Sequence, residues 1–189
     1  PEAIISIDTW RSRIASIACQ AGAAMVNDIS GGTMDDQMFS LIARVGVPYV
    51  LMHIQGTPEN MQKNPQYDNV VTEVYDFFSE RIAILKNHGI RQIIIDPGFG
   101  FGKSLEHNYR LLNNLSHFKS LGYPILAGLS RKSMVNKVLG TTPAEALNGT
   151  TVLNTIAIIK GANILRVHDV KEAVEAVKIS NFPACRQAK

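Results

Sequence analysis

Ile93, Ile94 and Ile95 stand in a row and run directly into Asp96-Pro97-Gly98-Phe99-Gly100-Phe101-Gly102-Lys103. Three β-branched residues with no polar alternation fit a strand covered on both faces, the condition of strands in a parallel α/β sheet. Pro97 has no N–H for a further ladder bond, so Asp96 is expected at the strand's carboxyl end, where such sheets place ligands. Glycines at 98, 100 and 102 let a backbone come close to a bound molecule. Leu105 to Lys119 reads as the next helix, with Ser104 as its cap. Two phosphate-binding patterns fail here. Gly102-Lys103-Ser104 supplies the end of a P-loop, but Pro97 stands where its first glycine belongs. The dinucleotide fingerprint fails because Lys103 occupies the place of the third glycine.

The rest of the chain repeats the strand–helix alternation. Further strands are expected at Ile4–Asp8, Met25–Asp28, Tyr49–His53, Pro124–Ala127 and Ile164–Val167, and that of the isoleucine run at Gln92–Asp96. Helices are expected over Arg11–Gln20, Met34–Arg44, Val70–His88, a long one entered at Pro143 and running to Lys160, and Val170–Ile179. Gln55 to Asp68 holds a glycine, two prolines and two asparagines. It reads as a long loop at a strand's carboxyl end, a common place for a lid. Six tandem units imply a parallel sheet, which accommodates either an open doubly wound sheet or a (β/α)8 barrel of about 250 residues. Residues 1–180 form one expected domain and 181–189 a tail. The sequence starts Pro1-Glu2-Ala3, without an initiator methionine.

Composition narrows the function classes. With 189 residues and 46% apolar content the chain can bury a core. Cys19 and Cys185 show neither metal spacing nor a disulfide framework, which suits a reducing compartment. The net charge of +3 is spread along the chain without an aromatic-basic platform, which argues against nucleic acid. No apolar run reaches membrane-span length.

Polar residues recur at the carboxyl ends of the expected strands: Asp8, Asn27 with Asp28, His53, Asp96, Arg131 with Lys132, and Arg166 with His168. In α/β folds these ends converge, so the set can ring one cleft. Its acids and amides suit the donor-rich edge of a heterocycle, and its cations suit a carboxylate or phosphate. Each residue also has a plainer reading. Asp8 and Asp28 could cap helices, Asn27 could serve a turn, His53 could be a core histidine, and Arg166 could pair with Asp169 at the surface. Ser130-Arg131-Lys132-Ser133 could be an exposed basic turn or lie inside the cleft. Zinc and serine-nucleophile patterns are absent from the sequence.

Ile5-Ser6-Ile7-Asp8-Thr9, Asn27-Asp28-Ile29, Leu51-Met52-His53-Ile54-Gln55-Gly56, Asp96 to Lys103, Gly128 to Ser133 and Arg166-Val167-His168-Asp169 occur in one order along the chain. With these segments the sequence resembles the dihydropteroate synthase family of folate biosynthesis. The resemblance implies an α/β fold, the (β/α)8 TIM barrel, entered at about its third strand so that two N-terminal β/α units lie outside this chain. It implies condensation of p-aminobenzoate with 6-hydroxymethyl-7,8-dihydropterin pyrophosphate, with release of pyrophosphate and the help of Mg²⁺. Carried onto matching positions, it implies pterin binding by Asp8, Asn27, Met52, Asp96 and Lys132, with Asp8 and Lys132 catalytic. It implies pyrophosphate binding by Asn27, Arg166 and His168. Phe101, Lys132 and Ser133, with the adjoining helix N-terminus, would take p-aminobenzoate. The family's Mg²⁺ ligand is a first-strand asparagine, so no metal ligand is expected within this chain. A homodimer, a cytoplasmic location and sulfonamide inhibitors follow from the same resemblance, as does the expectation that the chain is a shortened form of an active enzyme. A corrinoid-linked methyltransferase shares the barrel but not the segments at 130–133 and 166–169. A Schiff-base lyase built on Lys132 is the mechanistically different rival, and a pterin-binding fragment without turnover is the non-enzyme one.

Overall fold

A computed structural model of the chain describes residues 3–183. Six strands alternate with seven helices: β1 (Ser6–Asp8), α1 (Ser12–Gln20), β2 (Met25–Asp28), α2 (Met38–Val45), β3 (Tyr49–Met52), α3 (Val70–Asn87), β4 (Ile93–Asp96), α4 (Leu105–Asn113), β5 (Leu126–Ala127), α5 (Ser133–Leu139), α6 (Leu147–Ile159), β6 (Ile164–Leu165) and α7 (Val170–Ser180). β1 to β4 pair in parallel in sequence order, β5 pairs in parallel with β6, and an Ile95–Ile125 bridge links the two groups. The order never reverses. A doubly wound sheet needs a reversal at its switch point, so the strands are an arc of a (β/α)8 barrel.

Register sorts the side chains into two faces. Val50, Ile94 and Leu126 pack together with Met25 and Ile164 as a small apolar layer. The opposite faces join the helices in one large core around Tyr49, Leu51, Phe78, Ile95, Leu115 and Phe118. The small layer is the barrel interior. Asp8, Asn27, Val50 and Ile94 are successive register partners, and Met52 pairs with Asp96 one step nearer the carboxyl end. The interior therefore changes from apolar to polar along the strands, because every second residue of a strand shares a face.

Several boundaries differ from the sequence expectations for identifiable reasons. The helix after β4 ends at Asn113, and Asn114 returns a side-chain bond to the Arg110 carbonyl. A 3₁₀ stretch, Leu115–Leu121, then buries Leu115 and Phe118 at its own spacing. The expected helix from Pro143 to Lys160 is broken. Pro143–Glu145 is a 3₁₀ turn closed by a Thr142–Glu145 capping box, and α6 starts only at Leu147. α5 is a separate helix ended by Gly140. α2 starts at Met38 rather than Met34, because Asp35 Oδ2 instead accepts the Ser12 N–H at 2.7 Å. The helix of the 70–88 region fits its expected bounds, with Asn69 Oδ1 accepting from Val71 and Thr72. Residues 184–189, including Cys185 and most of the expected tail, lie outside the described residues, as do Pro1 and Glu2.

Asp28 is fully buried and holds the loop after β2. Its carboxylate accepts from Ser30 N and Oγ at 2.8 and 2.7 Å, from Gly32 N at 3.0 Å and from the Tyr49 hydroxyl at 2.7 Å. Asp28 therefore does not cap a helix, as its plainer reading had it, but braces a loop. Asp28→Ala leaves four donors unpaired, one of them the deeply buried Tyr49 hydroxyl. Urea denaturation is expected to show a loss of about 3 kcal/mol or more.

Candidate active site

Ladder bonds carry β4 to its last residue, and His53 N donates to the Asp96 carbonyl at 3.1 Å. Asp96 is fully buried, and its Oδ1 accepts from Gly98 N at 2.8 Å, the tight turn that Pro97 starts. Gly98 has φ +67°, and a Cβ there would collide with the His53 carbonyl, so glycine is required. Across the interior, Arg166 Nη2 reaches Asp96 Oδ2 at 2.9 Å and Arg166 Nη1 donates to Asn27 Oδ1 at 2.9 Å. One guanidinium thus ties the ends of β2 and β4 to the chain just after β6. Gly128 permits this crossing, because a Cβ at 128 would lie 2.9 Å from Arg166 Nη2.

Two buried polar atoms of this layer have no hydrogen-bond partner among the described residues: Asn27 Nδ2, a donor, and Asp96 Oδ2, an acceptor. Arg166 meets Asp96 Oδ2 in charge contact but not in hydrogen-bond alignment. Asn27 Nδ2, buried without an acceptor, costs about 1–3 kcal/mol, and Asp96 Oδ2 is offset only by the charge of Arg166, so a complementary ligand edge would relieve both.

Lys132 enters from the turn after β5. Arg131 there adopts φ 55°, rare outside glycine, and is tied down on all sides. Its N–H donates to Thr150 Oγ1 at 3.0 Å, and its guanidinium holds Asp169 through Nε at 3.0 Å and Nη2 at 2.7 Å and donates to the Pro143 and Ala144 carbonyls. The alternative surface pair of Arg166 with Asp169 does not form: Asp169 belongs to Arg131, and Arg166 to the interior. With Arg131 fixed outward, Lys132 turns inward. Its Nζ donates to the Phe99 carbonyl and stands 4.7 Å from the centre of the Phe101 ring. Burial lowers its pKa to about 8, Asp96 pulling it up and Arg166 adding to the depression.

The other expected residues occupy distinct places. Met52 is fully buried at the end of β3, with its Cγ 3.4 Å from where a Cβ on Gly98 would stand. Asp8 is exposed at the end of β1, in register with Asn27. Phe101 is half-buried in the glycine turn, and Ser133 is exposed at the first residue of α5. His168 is exposed, and its Nδ1 lies 2.9 Å from Ser130 Oγ, a buried hydroxyl that sequence reasoning left without a role. His53 is a structural histidine: buried, with its pKa held well below the usual range by burial and then by Lys103, and bonded through Nδ1 to Lys103 Nζ at 2.9 Å. The long loop at 55–68 is a strap seated on the glycine turn, with Gln62 Nε2 donating to the Gly100 carbonyl at 2.6 Å and Tyr67 Oη to that of Gly102 at 2.8 Å. Gly128 and Lys103 were also missed. A glycine behind a buried run was a usable signal for the first; nothing local distinguishes the second.

A family model described as pterin binding enzyme matches residues 2–168. Dihydropteroate synthase of Escherichia coli (strain K12) is 43% identical over 180 residues, which are 94% of this chain and 64% of that protein. The chain therefore spans slightly less than two thirds of this curated relative. The structure of Yersinia pestis dihydropteroate synthase with a sulfonamide drug superposes with a TM-score of 0.94 at 41% identity, covering 100% of this chain and 69% of that one. Dihydropteroate synthase from Xanthomonas albilineans in complex with 7,8-dihydropteroate gives 0.86 at 38% identity, covering 93% and 65%.

The depressed lysine fixes a pH dependence. Between about 8 and the ordinary 10.5 the unfolded chain keeps a proton on Lys132 that the folded chain gives up, so this group's cost to stability shrinks as pH rises through that window. Below 8 both states hold the proton and the full cost of burying it is felt. Lys132→Met is expected to be more stable than the parent at pH 7, with its advantage falling steadily toward pH 10.5 in denaturant titrations at each pH.

Proposed function

The chain belongs to the pterin binding enzyme family, and from that membership we propose that it is the catalytic barrel of a dihydropteroate synthase. The reaction joins p-aminobenzoate to 6-hydroxymethyl-7,8-dihydropterin pyrophosphate. The carbon–oxygen bond to pyrophosphate breaks with its electron pair leaving on the pyrophosphate. The p-aminobenzoate nitrogen forms the new bond to the methylene and sheds one proton.

The observation that carries this reading is the buried acceptor on Asp96 and the buried donor on Asn27, both without a hydrogen bond and both facing Arg166. An amino-pyrimidine edge presents donors beside an acceptor and matches such a pair. Asp96 and Asn27 hold that edge, Lys132 meets the ring carbonyl and ring nitrogen, and Met52 packs on the ring face. As pyrophosphate departs, positive charge spreads over the methylene and the pterin. The carboxylates of Asp8 and Asp96 stabilise that charge more in the transition state than in the substrate. Arg166 and His168, with Asn27, take the pyrophosphate through charge-assisted bonds. Phe101 and the aliphatic stem of Lys132 flank the p-aminobenzoate ring, and Ser133 receives its carboxylate. A sulfonamide presents a similar aryl amine and anionic end and competes for the same place, in keeping with the Yersinia pestis complex.

Mg²⁺ is expected to accompany the pyrophosphate bound by the described residues. No group of three His, Cys, Asp or Glu side chains gathers among them, and no step above depends on the ion. We also propose a homodimer in the cytoplasm. Exposed apolar residues on the late helices, Val138, Val152 and Ile179, agree with a further interface, and no described helix is long and apolar enough to cross a membrane.

Calorimetric titration with the pterin pyrophosphate tests the reading. Asp96→Asn keeps the shape but loses the charge, and should weaken binding about 30-fold, equivalent to about 2 kcal/mol. Lys132→Ala should do likewise, and the complete protein should release pyrophosphate when p-aminobenzoate is added. Unchanged affinity in both variants would sink the assignment.

A further inference from the structure

Among the described residues Lys103 is the only buried lysine, almost wholly removed from water. Its Nζ lies 2.9 Å from His53 Nδ1, 3.3 Å from the His53 carbonyl, 3.1 Å from the Gly98 carbonyl and 3.0 Å from the Phe101 carbonyl. No carboxylate makes an ion pair with it among the described residues. Burial brings its pKa down to about 7, with Asp96 opposing the fall and Lys132 adding to it. The neutral His53 ring offers Nδ1 as an acceptor, since burial and the nearby ammonium both disfavour its cationic form.

The acceptors belong to two segments. His53 stands at the end of β3, whereas Gly98 and Phe101 bracket the glycine turn after β4. A single ammonium therefore spans the turn from below, and Phe101 is the residue whose ring faces Lys132 Nζ at 4.7 Å. Glycines at 98, 100 and 102 are all at positive φ, and besides the Gly98 bond to Asp96 the turn has a Phe101 N–H bond to the Gly98 carbonyl at 3.0 Å and a Gly100 N–H bond to Asn108 Oδ1 at 2.7 Å. From the outer side Tyr67 and Gln62 reach only the Gly102 and Gly100 carbonyls. By contrast, Asp96 is fixed mainly by the β3–β4 ladder and by Arg166, and it touches the turn through one bond, Gly98 N to its Oδ1.

We propose that Lys103 is a positioning residue that sets the height of the Phe101 ring through the carbonyls of His53, Gly98 and Phe101, and so shapes the seat of the aromatic acid rather than that of the pterin. This rests on the synthase reading above. It makes Lys103 a determinant of one substrate's binding without contact to either substrate. Small misplacements of a contact residue are costly, an ångström of error being worth up to about 100-fold.

Lys103→Met, nearly the same length but without donors, is tested in the complete protein. The KM for p-aminobenzoate should rise about tenfold or more, while the directly titrated affinity for the pterin pyrophosphate stays within about threefold. Hydrogen exchange should quicken at Gly98 to Gly102 and remain unchanged along β4. Equal loss of both substrates, or an unaltered p-aminobenzoate KM, overturns the proposal. Absence of pterin binding by the unaltered protein instead overturns the synthase reading itself. Should Lys103→Met not fold, Tyr67→Phe decides the matter: it removes the outer bond to Gly102 and keeps the lysine. A p-aminobenzoate KM raised less than about threefold supports the inner clamp, and a larger rise transfers the role to the strap and overturns it.

Discussion

The site depends on one side chain crossing the barrel interior. Arg166 leaves the end of β6, passes the space that Gly128 keeps open, and meets both Asn27 and Asp96. Without it Asp96 would be a buried carboxylate facing two lysines of depressed pKa, and the ends of β2, β4 and β6 would have no common partner. Removing Arg166 would leave the buried Asp96 carboxylate without its countercharge, which costs more than losing a surface pair, although the arginine itself keeps partial contact with solvent. The layer beneath, Val50, Ile94 and Leu126, is wholly apolar, so the polar layer cannot relax downward.

Beneath the same layer lies a balance between stability and chemistry. Two lysines are kept where burial lowers their pKa, and Asn27 and Asp96 keep atoms without hydrogen bonds. A chain selected for stability alone would fill these positions with apolar residues or pair them fully. These particular costs lie at the carboxyl end of the strands, whereas buried Asp28 on the same strand as Asn27 is satisfied by four donors. That contrast separates the acid that builds the fold from the acid that serves the site.

Much of this was legible in the sequence, and the limits have physical causes. The isoleucine run, Pro97 and the alternation of elements gave β4, its exit and the parallel sheet, because burial on both faces and the missing N–H act locally. Barrel and open sheet could not be separated, since strand order is a long-range property. The segments shared with the synthase family pointed to the barrel, and the unreversed order establishes it. Asp28 and His53 looked like Asp96, because a strand-end polar residue reads the same whether its partners are loop amides or a ligand. The inward aim of Lys132 depends on Arg131 at positive φ with its guanidinium anchored to Asp169, 38 positions later. Lys103 looked like the end of a failed P-loop, and only the convergence of carbonyls from two loops shows its place.

A crystal structure with 6-hydroxymethyl-7,8-dihydropterin bound tests the central claim most directly, that the buried polar layer is a pterin seat. The account predicts the amino-pyrimidine edge within hydrogen-bond distance of Asp96 Oδ2 and Asn27 Nδ2, the ring face against Met52, and Lys132 Nζ turned from the Phe99 carbonyl toward the pterin. A pterin bound elsewhere, with both atoms still unpaired and Lys132 still on Phe99, would contradict it.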